Sequence, residues 1–103
     1  MSKNTERPII CLSYFTARED QLENLINALS ALIEPTRRNK ECLQYELVQD
    51  IKNPNLLIMI EKFTSQQALA NHENQPHIKS FVENDMDRLC SEVTWHEAKE
   101  VTN

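Results

Sequence analysis

Proton chemistry needs a group that titrates near neutrality, held in apolar surroundings. The stretch "NHENQPHIKSF" (Asn71 to Phe81) carries two of the chain's three histidines, His72 and His77. Their five-residue spacing puts them roughly 140° apart on a continuous helix. Zinc pairs sit at i and i+4 with a third ligand nearby, so the spacing speaks against a metal site. His72 borders the apolar side of its helix. It suits either removal of a proton from an acidic phenol or enol, or structural hydrogen bonding. His77 follows Pro76 and suits a polar helix terminus or a cavity wall.

Glu61 interrupts the apolar strand "LLIMIEKF" (Leu56 to Phe63). By alternation it shares a face with Leu57, Met59 and Phe63. A carboxyl there must be paired, hydrogen-bonded or raised in pKa. Pairing with Arg37 is the structural alternative to a functional role. Tyr45, on the preceding strand, is either a core tyrosine with a satisfied hydroxyl or a ligand contact. Ser13, between bulky neighbours in the first strand, offers a small hydroxyl to a cavity. Arg37 sits near a helix end in "EPTRR", where it balances the helix C-terminus, pairs with Glu34 or Glu61, or recognises an anion. The three cysteines have no disulfide-framework spacing and read as buried thiols. The chain has no glycine, which excludes glycine-rich phosphate loops and dinucleotide fingerprints.

These side chains need positioning elements. "IICLSYF" (Ile9 to Phe15) predicts a first strand. Thr16 and Glu19 match a capping box, predicting a helix from Thr16 to about Arg38, with Pro35 able to bend it. "CLQYELVQD" and "LLIMIEKF", joined by the turn "IKNPN", predict a hairpin. Thr64 and Gln67 again match a capping box, and Pro76 suits the first turn of a further helix. "SEVTWHEAKE" predicts a last strand, with Trp95 expected in the core or a dimer interface. The order β-α-β-β-α-α-β predicts an α+β fold: a ferredoxin-like sandwich, its antiparallel sheet covered by helices on one face. The other face still carries apolar residues, which predicts a homodimer packed through sheet faces.

The 103 residues fit one domain. A net charge of -5, with scattered basic residues, speaks against nucleic acid. The longest apolar run is Leu56 to Ile60, far short of a membrane span. The polar N-terminus "MSKNTERP" lacks the apolar core of a signal peptide, which implies a cytoplasmic protein with residues 1–7 loose.

The elements "EPTR", "CLQYEL", "E-K-F" and "H-x-x-x-P-H" together resemble the antibiotic biosynthesis monooxygenase domain family, including its small quinol monooxygenases. The resemblance covers residues 8–98 and leaves 99–103 as a tail. It implies a dimeric α+β barrel of ferredoxin-like subunits, each with a cavity between sheet and helices. It implies oxidation of a quinol-like or polyhydroxylated aromatic by molecular oxygen, without cofactor or metal. Pocket-lining positions of the family match Tyr45, Glu61, His72 and His77. Three departures stand out. Glu41 occupies a position that is often glycine, Phe63 replaces a usual tryptophan, and the haem-degrading branch's asparagine, tryptophan and histidine set cannot be placed. The expected mechanism has His72 as base, with Glu61 orienting it or bonding substrate. Tyr45, His77 and Ser13 are assigned to substrate binding, as is Arg37. Two alternatives stand beside it: isomerisation of a small phosphorylated hydroxyketone of the autoinducer-2 type, with Arg37 as anion site, and a non-catalytic small-molecule-binding dimer.

Overall fold

A computed structural model describes residues 7–102. The loose segment expected at the N-terminus lies outside the described residues except for Arg7. The chain runs β1 (Ile9–Ala17), α1 (Leu22–Ser30), α2 (Ile33–Arg37), β2 (Cys42–Gln49), β3 (Leu56–Phe63), α3 (Gln66–Glu73), α4 (Pro76–Asn84), α5 (Met86–Leu89) and β4 (Cys90–Ala98). The sheet order is β2-β3-β1-β4, with every neighbouring pair antiparallel. This is the ferredoxin-like arrangement the element order predicts.

The barrel implied by the family resemblance is corrected. β2 and β4 are the two edges of the sheet and share no ladder. Four strands are too few to curl round a packed interior, which takes about eight. The sheet stays open, and the helices supply the cover on one face instead.

Alternation sorts the faces. On β3, Leu57, Met59, Glu61 and Phe63 are buried, while Leu56, Ile58, Ile60 and Lys62 are half-buried. Leu25 and Leu29 of α1, Leu69 of α3, and Ile78 and Phe81 of α4 close over the buried set with Phe15 of β1. Phe15 and Phe81 meet edge to face at 6.0 Å, a favoured aromatic geometry. The opposite face keeps Leu12, Tyr14, Ile58 and Ile60 partly exposed.

Several local expectations shift for identifiable reasons. Thr16 does not cap a helix. It continues β1, paired with Leu56 on one side and Glu92 on the other, so sheet pairing overrides the local signal. The chain turns at Asp20, which takes the left-handed φ of 65°. Aspartate tolerates that conformation better than most residues, and this chain has no glycine to offer. The long helix is split in two. Pro35 has no N–H and its ring clashes with the carbonyl four residues back, so the path breaks between Ser30 and Ile33. After α2, the Asn39 side chain accepts from the Glu41 N–H at 3.0 Å, closing the turn into β2 without a glycine. A register shift between Cys42 and Gln44 leaves Leu43 exposed, although Tyr45 and Leu47 face inward as expected.

The N-cap of α3 is Ser65, not Thr64: its Oγ accepts from the Ala68 N–H at 3.1 Å. Ser65→Ala is therefore expected to lower stability by about 1 kcal/mol. Thr64→Ala should cost clearly less. Urea denaturation of the two variants checks the assignment, and equal losses would contradict it.

Candidate active site

A cavity of about 370 Å³ lies between the sheet and the helices. Its walls are largely apolar, with Leu29, Met59, Ile78 and Phe81 among them. Four of the expected site residues converge on it: Ser13, Tyr45, Glu61 and His72. Three come from adjacent strands. Tyr45 of β2 sits directly opposite Glu61 of β3, and Ser13 of β1 lies one diagonal step from Glu61. His72 reaches in from α3.

Glu61 is 6 % exposed and His72 is 4 % exposed. Ser13 Oγ donates to Glu61 Oε2 at 3.3 Å. The other carboxyl oxygen, Oε1, lies 3.8 Å from His72 Nε2. That distance is beyond hydrogen-bond range but close for a charge contact. Both groups are driven toward their neutral forms. Burial pushes the Glu61 carboxyl up to about 7, with Glu73 adding to the rise and the Ser13 hydrogen bond opposing it. Burial pushes His72 down to about 4, helped by His77. At neutral pH the pair is a carboxyl near its midpoint beside an uncharged imidazole, not a standing ion pair.

The imidazole is fixed by rings on several sides. Phe63 packs against it at 4.8 Å and Tyr45 meets it edge-on at 5.3 Å. His77 lies edge-on at 6.3 Å. Pro76 at the start of α4 breaks the helical path, which lets His72 and His77 approach despite their spacing. His77 does not line the cavity. Its Nε2 shares a 2.9 Å hydrogen bond with the hydroxyl of buried Thr36, so it braces His72 from behind. Burial raises the Tyr45 phenol above its ordinary value, with Glu61 adding to the rise and Thr36 opposing it. It is therefore a neutral hydroxyl.

Arg37 does not join the cavity either. Its Nε and Nη2 donate to the Tyr45 carbonyl at 3.0 and 2.8 Å. That tie fixes α2 to β2; Glu34 pairs with Arg38 instead. Sequence reasoning missed three contributors. Cys11 lines the cavity with its Sγ 3.7 Å from Ser13 Oγ, and burial pushes its thiol up to about 12. Glu73, from the last turn of α3, also lines it. So does Trp95, which is 60 % exposed and not a core residue. Alternation along β4 signalled it: Trp95 pairs with Ser13, so it shares Ser13's face. Among the described residues no three His, Cys, Asp or Glu side chains gather to hold a metal ion. None of the described helices is long and apolar enough to cross a membrane.

A ferredoxin-like domain with an acid and a histidine enclosed between sheet and helices is the class of protein this geometry defines. The antibiotic biosynthesis monooxygenase family model matches residues 8–84, and the chain belongs to that family. A Pseudomonas aeruginosa protein, PA3566, has a crystal structure with a TM-score of 0.87. It is 30 % identical, over 93 % of this chain and 96 % of that one. The Mycobacterium tuberculosis candidate monooxygenase Rv0793 is 30 % identical over 74 residues, 72 % of either chain. The Synechocystis protein sll1783 is 28 % identical over 88 residues, and the match spans 60 % of its length.

The two buried groups bend stability with pH in opposite senses. A carboxyl raised from 4.5 to about 7 binds its proton more tightly when folded. Stability is therefore lost as pH rises through that window. An imidazole lowered from 6.5 to about 4 loses stability as pH falls through its own window. Between about 4.5 and 6.5 the slopes oppose each other. Glu61→Gln removes only the carboxyl's share. Its stability relative to the parent chain should rise from pH 4.5 to pH 8 by about 3 kcal/mol. Denaturation at both pH values checks this, and a pH-independent difference would contradict it.

Proposed function

We propose that this chain is a cofactor-independent monooxygenase that oxidises a quinol-like or polyhydroxylated aromatic with molecular oxygen. The observation that carries the proposal is the Glu61–His72 pair, enclosed in an apolar cavity of about 370 Å³. Membership of the monooxygenase family supports it. A substrate hydroxyl gives its proton to His72. Alone, an imidazole held near 4 is a weak base. An ionised Glu61 carboxylate 3.8 Å away stabilises the imidazolium that forms. The carboxyl at about 7 thus gates the step, being half ionised near neutral pH.

The substrate anion passes one electron to oxygen, giving a ring radical and superoxide. Their combination forms a C–O bond and, with a proton, a hydroperoxide. Loss of the proton on that ring carbon sends its C–H electron pair into a C=O bond as the O–O bond breaks. The departing hydroxide takes up a proton to leave as water, with one oxygen atom kept on the ring. The protein's tasks are to hold the anion, exclude water and return protons. Tyr45, a neutral hydroxyl, can donate to a substrate oxygen, whereas Ser13, whose one hydroxyl hydrogen is held by Glu61, can accept from a substrate hydroxyl. Arg37 and His77 act through the wall, on the Tyr45 strand and on His72 respectively. A phosphorylated hydroxyketone would need an anion site, whereas the Arg37 guanidinium already holds a backbone carbonyl.

Oxygen uptake should appear with a panel of quinols in metal-chelated buffer and rise with pH through about 7. His72→Ala and Glu61→Gln should each lower it by about a hundredfold or more. Uptake indifferent to both substitutions, or none with any quinol, would sink the proposal.

We also propose that a second copy covers the open sheet face, where Leu12, Ile58 and Ile60 remain part-exposed. Light scattering should give twice the 12.0 kDa chain mass, and Ile60→Asp should halve it. A parent chain that is monomeric at micromolar concentration would contradict this.

A further inference from the structure

The cavity mouth carries acids and an aromatic face, with no Lys or Arg among the described residues that line it. Glu73 of α3 and Trp95 of β4 both line it, next to buried Glu61. Glu97 lies two residues beyond Trp95 on the same face of β4, with its Oε1 near Gln66 Nε2 at 3.4 Å. Arg37, the cation that the sequence offers to the site, is committed to the Tyr45 carbonyl. The neighbouring carboxylates act on one another. Burial and Glu97 both raise the Glu73 carboxyl, and Glu73 in turn raises Glu61. A ligand cation at the mouth would relieve that repulsion. A phosphate or carboxylate would add to it.

Trp95 supplies the second half of a cation site. Its ring is 60 % exposed at the rim, so a ligand can reach the indole face. Indole is the best side chain for attracting a cation through its π face. An exposed indole that shares a cavity mouth with a carboxylate, one with no ion pair among the described residues, fits an ammonium group better than a neutral or anionic one. We infer that the mouth formed by Trp95 and Glu73, with Glu97 behind it, selects aromatic diols carrying a protonated amine. The diol ring enters toward Glu61 and His72 while the ammonium stays at the rim. This inference rests on the proposed quinol chemistry for the ring end of the substrate, and on the charges alone for the other end.

Trp95 is the chain's single tryptophan, so its fluorescence reports occupancy of the mouth without turnover. Dopamine, ethylcatechol and dihydroxyphenylacetate share one ring and differ in side-chain charge. Titrated without oxygen, dopamine should bind about tenfold tighter than ethylcatechol, and dihydroxyphenylacetate more weakly than either. Glu73→Gln should bring dopamine to within about twofold of ethylcatechol, since it removes the ammonium's charge partner. Glu23→Gln removes an equal charge from α1, outside the cavity lining, and should leave the ratio unchanged. Equal or reversed affinities, a ratio untouched by Glu73→Gln, or no binding by any of the three would overturn the inference. Oxygen uptake with the same compounds separates the two proposals. Uptake with no preference for the cation sinks the mouth assignment alone. The binding order without uptake sinks the monooxygenase reading alone.

Discussion

Placing a carboxyl on the inner face of a central strand is the constraint around which the rest of the molecule is arranged. Glu61 stands among Leu57, Met59 and Phe63, where an unpaired charge would cost several kcal/mol. The structure meets that cost by partial means only. Ser13 donates one hydrogen bond, His72 lies within charge range, and the carboxyl rises to about 7. No arginine neutralises it. A fully paired carboxylate would be more stable and chemically inert. An underpaired one keeps a proton that can leave near neutral pH.

The supporting shell follows from that choice. His72 must sit close to Glu61 yet stay uncharged, so it is wedged between Phe63, Tyr45 and His77. Tyr45 is fixed through its own carbonyl by Arg37, and His77 through its ring by Thr36. Both ties run to α2, the short helix that Pro35 separates from α1. The interruption of one helix therefore anchors two parts of the site. The break at Pro76 does the same for α3 and α4, since an unbroken helix would turn His77 away from His72.

Much of this was legible in the sequence. The β-forming runs Ile9–Phe15 and Leu56–Phe63 marked the two central strands, and one charged residue in an apolar face marked Glu61. What failed to show were features decided by tertiary pairing. Thr16 carries a helix-start signal but lies between two strands that claim its backbone. Closure of the sheet was inferred from family likeness, and the strand ladder leaves both edges open. Arg37 looked free to meet an acid because nothing local reveals that the Tyr45 carbonyl faces it. Trp95 and Glu73 escaped notice because cavity mouths are assembled from distant segments. Alternation along β4 puts Trp95 on Ser13's face, but only the tertiary fold brings Glu73 of α3 to the same mouth.

The proposed chemistry depends on the protonation state of Glu61. Infrared difference spectroscopy of the parent chain against Glu61→Gln isolates the stretch of that one carboxyl. A protonated carbonyl band that persists above pH 6 and disappears with a midpoint near 7 is the expected result. A midpoint at the ordinary value of 4.5 would mean the carboxyl is paired or solvated in solution, and the proposed gate would have no basis.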